Sequence, residues 1–136
     1  MDDGDLHVCR TIFLSARRTA FHWMDGSLFA LEDFDRQTED EQVWVAEALT
    51  GVVGFIAIYL PEKFIHHLFV DPVHQGKGVG SELLDFALRR LAVPVELKCP
   101  TRHVAGRRFY EQRGWREAER AIDERMGDFI RYRWDG

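Results

Sequence analysis

The chain has 136 residues, of which 46% are hydrophobic and 30% charged, as in an ordinary soluble globular protein. This length supports one hydrophobic core, so we expect one domain over residues 1–136. The formal charge of −5 argues against nucleic acid as a partner. No apolar run approaches the ~20 residues needed to cross a bilayer, and no secretory leader opens the chain. We therefore expect a cytoplasmic protein with no membrane partner.

The two cysteines, Cys9 and Cys99, have no metal-binding spacing and form no disulfide framework. The histidines include no H-x-x-x-H pair with carboxylate support, so we expect no metal site. The acidic run Glu32–Glu41 is predicted to be a solvated loop, with attraction of a cationic amine as the alternative. The basic cluster in Lys98–Arg116 is either a solvated face or faces a ligand's phosphates.

Apolar residues recur at three- and four-residue steps from Leu6 to Trp23, which predicts a long amphipathic first helix. The segment Asp25-Gly26-Ser27 is predicted to end that helix. The polar stretch Asp35–Glu41 predicts a short helix or a loop. Strands are then expected at Gln42–Ala48 and Val52–Leu60, joined as a hairpin.

The second half of the chain is predicted to alternate strands with helices. The predicted elements are the strand Lys63–Val70, a helix from Val79 that Pro94 interrupts, the strand Val95–Cys99, the helix His103–Gln112 and the closing strands Trp115–Ala121 and Phe129–Trp134. Gly114 is the expected C-cap of the second of these helices. Hairpins followed by strand–helix units indicate an α/β domain with a mixed sheet.

The segment Val70–Leu84, with the sequence VDPVHQGKGVGSELL, predicts the end of a strand, a tight glycine turn and a helix N-terminus. Backbone N–H groups at such a turn are unpaired, and the helix dipole adds positive charge, so the site favours anions. Glycine is needed where φ is positive or where a Cβ would block a phosphate. The pattern therefore predicts a phosphate-bearing ligand, and an ordinary glycine-rich connection is the alternative.

The glycine spacing excludes two well-known phosphate-binding motifs. A Walker A loop needs Ser or Thr after its lysine, whereas Lys77 is followed by Gly78. The dinucleotide fingerprint needs glycine at offsets zero, two and five. The fifth position after Gly76 is Ser81, and the fifth after Gly78 is Leu83.

The run Gln75–Gly80, preceded by Val70, resembles the Q/R-x-x-G-x-G/A acyl-CoA loop of the GCN5-related N-acetyltransferases, the GNAT family. The segment His103–Trp115, with the sequence HVAGRRFYEQRGW, resembles that family's fourth helix and following strand, usually N-x-x-A-x-x-F-Y-E-x-x-G-F. The resemblance extends from about Leu6 to Trp134 and is specific in these two segments.

This resemblance implies a single-domain acyl-CoA N-acyltransferase fold, with a mixed, mostly antiparallel sheet flanked by helices. Family members usually begin with a strand before the first helix, but only five residues precede Leu6 here. We therefore expect that first strand to be missing or vestigial. The sheet edge it would leave open is a possible contact for a second copy in a homodimer.

The resemblance also implies acetyl-CoA as the co-substrate. Backbone N–H groups of the glycine loop would receive the pyrophosphate, and the backbone of the preceding strand would pair with the pantetheine amides. A histidine stands where the family has an asparagine that helps to hold the cofactor. The implied cofactor-binding residues are Leu68, Phe69, Val70, Gln75, Gly76, Lys77, Gly78, Val79, Gly80, Ser81 and His103.

For catalysis, the resemblance implies that Tyr110 is the general acid that protonates the departing thiolate. The base is expected to be His66 or His67, because an imidazole accepts a proton near neutral pH. Adjacent strand residues point to opposite faces, so only one of them should reach the acetyl group. We favour His66, because its position is acidic in some relatives, although a bulge in the strand would reverse this choice. Glu62 and ordered water are the alternatives.

Two positions depart from the family's pattern: His103 replaces the asparagine, and Gly106 replaces an alanine. A histidine can donate a hydrogen bond, but with a different reach. Gly106 should weaken its helix by about 1 kcal/mol relative to alanine. We expect it to allow close approach of the cofactor.

The sequence thus predicts an N-acetyltransferase that moves an acetyl group from acetyl-CoA to a primary amine by direct attack. The acceptor could be a small molecule, an amino acid or a protein N-terminus. Trp23, Phe29 and Phe34 lie on the expected acceptor side but are predicted to be core residues. The alternatives are a non-catalytic acyl-CoA-binding sensor or interaction module, and an acyltransferase with another acyl group or acceptor.

Overall fold

The computed structural model describes residues 3–20, 30, 33–49, 51–124 and 127–136. The helices are α1 (Asp3–Ala20), α2 (Asp33–Gln37), α3 (Val79–Leu88) and α4 (Val104–Glu111). The strands are β1 (Gln42–Ala48), β2 (Gly51–Tyr59), β3 (Phe64–Val70), β4 (Val95–Pro100), β5 (Arg116–Asp123) and β6 (Gly127–Trp134). Short 3-10 turns occupy Leu60–Glu62 and Pro72–His74. No helix in these ranges is long and apolar enough to cross a membrane.

The strands form one sheet in the order β1-β2-β3-β4-β6-β5. Only the β3–β4 pair is parallel; the other neighbours are antiparallel. The predicted mixed, mostly antiparallel sheet flanked by helices is therefore confirmed. Within the described residues no strand precedes α1, so β1 forms one edge of the sheet.

Each face of the sheet carries its own apolar core. On one face, α1 and α2 pack against β2 through Cys9, Ile12, Phe13, Phe34, Val52, Phe55 and Ala57. Burying an aromatic side chain such as Phe13 contributes roughly 1.5–3 kcal/mol, so this face fastens α1 to the sheet. On the other face, α3 and α4 cover a cluster that includes Ile56, Leu84, Leu97, Trp115 and Tyr132.

Gly54 on β2 lets α3 approach the sheet closely. A Cβ at this position would lie 3.0 Å from the carbonyl oxygen of Phe69 and 3.2 Å from Cδ1 of Leu83. A larger residue would push α3 away from β2 and β3. The missing side chain of Gly54 therefore helps to place the N-terminus of α3 beside the end of β3.

Most predicted elements occur close to their expected bounds, and Gly114 adopts the positive φ (86°) expected of a C-cap. The prediction that Pro94 ends the third helix was wrong. That helix ends at Leu88, and the turn beyond it is tightened, because the N–H of Arg90 donates to the carbonyl of Ala87 three residues earlier at 3.0 Å.

The acidic run before β1 is not the solvated loop that was predicted. It includes α2, whose Phe34 is fully buried and whose Asp33 forms a buried ion pair with Arg17 at 3.0 Å. Burial lowers the pKa of Arg17, while its contact with Asp33 opposes that decrease. The predicted helix end at Asp25–Ser27, together with Trp23 and Phe29, lies outside the described residues.

Candidate active site

The parallel strands β3 and β4 pair only near their N-terminal ends. Phe64 pairs with Glu96 and Ile65 pairs with Leu97, and no further pair joins these two fully described strands. On its other side, β3 remains paired with β2 as far as Val70. A strand edge that separates from its neighbour offers backbone donors and acceptors to a ligand that adds as a strand.

A cleft of about 740 Å³ opens where β3 and β4 separate. It is lined by nearly all of the predicted cofactor-binding residues: Leu68, Phe69, Val70, Gln75, Gly76, Gly78, Val79, Gly80, Ser81 and His103. The exception is Lys77, which is exposed and does not line the cleft. The predicted acid Tyr110 lines the same cleft, whereas His66 and His67 do not.

The glycine loop connects β3 to α3 at the edge of the cleft. Gly76 and Gly78 have φ values of +80° and +85°, which L-residues with side chains rarely adopt. Gly78 is the N-cap of α3 and has no side chain to accept hydrogen bonds from the first turn. Nε2 of Gln75 donates to the carbonyl of Val70 at 3.2 Å and holds the loop against β3. The first N–H groups of α3 are thus presented to the cleft, where they favour an anion.

Arg113, just beyond α4, adds a positive charge beside this helix N-terminus. Its guanidinium donates a hydrogen bond to Oγ of Ser81 and lies 3.9 Å from the centre of the Phe109 ring. Arg102 also lines the cleft. Part of the basic cluster therefore faces the cleft, and its charge adds to the helix dipole in attracting a phosphate group.

The two adjacent histidines of β3 do not point to opposite faces of the sheet, which corrects the sequence prediction. Ala57 of β2 pairs with His67, but the next residue, Ile58, pairs with Ile65, so His66 is the extra residue of a β-bulge. A bulge breaks the alternation of side chains along a strand. The two imidazole rings consequently stack, with centroids 4.1 Å apart.

His66 forms a carboxylate–imidazole pair with Glu41, a residue 25 positions earlier in the chain. Its Nδ1 contacts Oε2 of Glu41, whose side chain is only 6% exposed, while the His66 ring is 45% exposed. A carboxylate bound to one ring nitrogen orients the imidazole and leaves its other nitrogen available for proton transfer.

His67 is buried and lies against Phe13, with ring centroids 4.7 Å apart. Burial holds the pKa of His67 well below its usual 6.5, and the nearby His66 and Arg17 lower it further. Its Nε2 has no hydrogen-bond partner within the described residues. A neutral, enclosed imidazole of low pKa is poorly placed to accept a proton from an incoming ammonium.

Glu41, His66 and His67 also place one potential metal-binding atom each within 4.8 Å of one another. Nδ1 of His66 is hydrogen-bonded to Oε2 of Glu41, so a metal that took both of these atoms would replace that contact. The sequence did not indicate Glu41 as a site residue, because nothing local marks one acid in an acidic segment. Arg113 was included only as one member of the basic cluster, and a bulge in β3 only as an alternative to strict alternation.

More than half of the chain matches a known family profile. The profile described as "Acetyltransferase (GNAT) domain" matches residues 39–117, a segment that holds the bulge, the glycine loop and α4. The chain belongs to the GNAT acetyltransferase family. A comparison with curated protein sequences gives no match.

Solved structures share the GNAT fold with this chain. YjaB from Escherichia coli aligns with a TM-score of 0.79 and 21% identity over 98% of this chain and 92% of that chain. A ribosomal-protein-alanine N-acetyltransferase from Brucella melitensis aligns with a TM-score of 0.72 and 18% identity over 100% of this chain and 97% of that chain. PaiA N-acetyltransferase from Thermoplasma acidophilum, in complex with coenzyme A, aligns with a TM-score of 0.73 and 14% identity over 98% of this chain and 96% of that chain. At these identities the likeness concerns the fold.

The two departures from the GNAT pattern on α4 are coupled in space. The ring of His103, the N-cap residue, occupies the space that a side chain at position 106 would need. A Cβ at Gly106 would lie 2.6 Å from Nδ1 of His103 and 3.2 Å from Sγ of Cys99. The glycine therefore makes room for the histidine ring. It also lines the cleft, so the close approach of the cofactor stays a prediction.

Replacing Gly106 tests this coupling. We expect Gly106→Ala to displace the His103 ring and to weaken acetyl-CoA binding about fivefold, the effect of losing one hydrogen bond of ~1 kcal/mol. The double variant His103→Asn/Gly106→Ala restores the pair usual in the GNAT family and should recover the affinity. Calorimetric titration of both single variants and the double variant measures this. Strictly additive effects on the binding free energy would contradict the coupling.

Proposed function

We propose that this GNAT protein transfers an acetyl group from acetyl-CoA to a primary amine by direct attack. The observation that carries the proposal is the single cleft that combines the free edge of β3, the N-terminus of α3 and Tyr110. These features supply what a thioester of a diphosphate-bearing carrier needs: strand-like pairing for its amides, an anion site and a proton donor.

In this proposal the diphosphate binds the N–H groups at the start of α3, next to Arg113. The pantetheine arm runs along β3 and pairs with the backbone of Leu68–Val70, and a β3 N–H group stabilises the negative charge that forms on the thioester carbonyl oxygen. The pairing of β3 with β4 supports this placement. Its two residue pairs end at Ile65, before this stretch, and so leave room for the arm.

His66, oriented by Glu41, takes one proton from the incoming ammonium so that the neutral amine can attack the thioester carbon. The new C–N bond forms and the C–S bond breaks, which leaves a thiolate. Tyr110 protonates that thiolate, and the second proton of the attacking nitrogen returns through solvent to Tyr110. The products are the amide, the free thiol and one proton released from His66.

Thermal unfolding with and without acetyl-CoA tests the binding step. At about 100 times its dissociation constant, acetyl-CoA should add roughly 2.7 kcal/mol to the free energy of unfolding. Gly78→Ala should raise the dissociation constant at least about tenfold, or 1.4 kcal/mol, because its Cβ projects beside the anion site. The measurement is the shift in Tm together with a calorimetric dissociation constant.

Gly127→Ala is the matched control for this variant. Gly127 has a similar φ of +77° and lies at the start of β6, with open space around a Cβ, as at Gly78. Both alanines suffer the same backbone strain, but only Gly78→Ala should lose acetyl-CoA affinity. Equal losses in the two variants, or no stabilisation of the wild type at millimolar acetyl-CoA, would contradict the proposed site.

Release of free thiol in the presence of an amine separates an enzyme from a binding module. An acetyltransferase should release thiol in proportion to the amide formed. Stabilisation by acetyl-CoA without amide formation across a panel of primary amines would instead identify a non-catalytic acyl-CoA-binding protein.

A further inference from the structure

A second cavity, of about 310 Å³, lies at the N-terminal end of β3. It is lined by Arg36, Gln37, Glu39, Asp40, Glu41, Tyr59, Phe64 and His66. We call it the acidic cavity. Its volume is at the lower end of the range for small-molecule sites.

His66 lies close along β3 to the residues that line the cofactor cleft. It lines the acidic cavity, while Leu68, two residues further along β3, lines the cleft. Two residues of a strand span about 7 Å. A molecule in the acidic cavity therefore contacts His66, and its nitrogen would have to extend past the His66 ring toward Leu68 to meet the expected thioester.

The acids of the cavity are held in place by the turn that follows α2. The N–H of Glu41 donates to the carbonyl of Thr38 at 3.1 Å, and Oγ1 of Thr38 donates to the carbonyl of Phe34 at 2.7 Å. These two bonds fasten the segment that carries Glu39 and Asp40 to the buried end of α2. The carboxylates are thus presented by an anchored turn.

The charges around the cavity favour a cation. Glu39 and Asp40 are exposed acids on its wall. The guanidinium of Arg36, the one Lys or Arg side chain among the lining residues, already pairs with Asp33 at 2.7 Å. The balance of charge facing the cavity is therefore negative.

Glu41 supplies an independent sign of a ligand. Its side chain is 6% exposed, Oε2 is bonded to His66, and Oε1 is buried with no hydrogen-bond partner in the described part of the chain. A buried carboxylate oxygen without a donor costs free energy, so such an atom calls for a missing partner. Glu41 lines the acidic cavity, so a rotation of its carboxylate would let an ammonium group there donate the bond that Oε1 lacks.

We propose that the acidic cavity is the acceptor site and that the acceptor is a small amine carrying a second positive charge. This inference rests on the acetyl transfer proposed above. One amino group would lie at His66 and be acetylated, while the second cationic group would lie among Glu39 and Asp40. Tyr59 and Phe64 would pack against the carbon chain between them, with a cation–π contribution where an ammonium lies over a ring.

A pair of amines of equal chain length tests the second charge. With acetyl-CoA, 1,4-diaminobutane should have a kcat/KM at least about tenfold above that of 1-aminobutane. The double variant Glu39→Gln/Asp40→Asn keeps the shape of the wall and removes both charges. We expect it to reduce the ratio of the two kcat/KM values at least fivefold.

Glu47→Gln is the control, because Glu47 is an exposed acid at the opposite end of β1. It should leave the ratio unchanged. Equal kcat/KM values for the diamine and the monoamine would overturn the acceptor assignment while leaving acetyl transfer intact. A ratio that falls equally in Glu47→Gln would also overturn it, since the preference would then come from overall charge.

Binding without turnover separates this inference from the proposed function. Added alone, 1,4-diaminobutane should raise the Tm of the wild type more than that of Glu39→Gln/Asp40→Asn. That result supports the cation site even if no amine is acetylated, in which case only acetyl transfer fails. Absence of a shift overturns the site. Tight Zn²⁺ binding that is lost in His67→Phe, with no response to the diamine, overturns it in favour of a metal centre.

Discussion

His66→Ala is expected to lower kcat/KM for amine acetylation about 100-fold or more at neutral pH. A positioned general base typically contributes 10²–10⁴-fold to the rate, and His66 is the exposed imidazole of the Glu41 pair. The loss should be measured as free thiol release at low amine concentration. Added imidazole should restore part of the activity to this variant, because the vacated space beside Glu41 can hold a free base.

His7→Ala is the matched control, because His7 is an exposed histidine on α1 and contacts neither cavity. It should keep wild-type activity. Glu41→Gln should lower the rate while acetyl-CoA binding is kept, because the amide still orients the ring but no longer stabilises an imidazolium. Wild-type kcat/KM in His66→Ala would assign removal of the proton to ordered water.

Tyr110→Phe is expected to lower kcat by tens-fold or more while the acetyl-CoA dissociation constant stays unchanged. Burial raises the pKa of Tyr110 above its usual 10, and the neighbouring Cys99 thiol adds to the increase when ionised. The phenol therefore remains protonated across any ordinary assay range and is available to the thiolate. No alkaline loss of activity below about pH 10 should be attributable to this residue.

Tyr132→Phe provides the comparison. Its ring centroid lies 6.1 Å from that of Tyr110, and its hydroxyl donates to Glu111. Removing this hydroxyl should lower the free energy of unfolding but not kcat, because the group only donates a hydrogen bond within the fold. A Tyr110→Phe variant with wild-type turnover would reduce Tyr110 to a packing residue beside Phe109 and Trp115, its ring neighbours at 5.2 and 5.8 Å.

The cofactor cleft was largely predictable because its chemistry is local. Positive φ values at Gly76 and Gly78, the N-cap at Gly78 and the helix that follows all depend on residues adjacent in the chain. In the proposed site backbone N–H groups bind the diphosphate, so the spacing of glycines is itself the signal. Lys77 was included by the same reasoning, but the turn leaves it exposed and outside the cleft wall.

The base was predictable only in part. The pattern of β3 identified two histidines, but strict alternation along the strand implied that one of them would face away. The bulge that stacks them depends on how β3 registers against Ala57 and Ile58 of β2, a non-local pairing. Their different environments also arise from packing: α1 encloses His67 through Phe13, whereas His66 stays open to the acidic cavity.

The sequence by itself determined the order of strands and helices, the family and the glycine turn before α3, because each follows from short-range periodicity and glycine spacing. Only the tertiary structure brought Glu41 to His66, the His103 ring over Gly106, and Arg113 to Ser81. Those contacts join residues whose proximity depends on strand register and helix packing. No pattern within a single segment carries that information, so side-chain partners in this site could be found only in the folded chain.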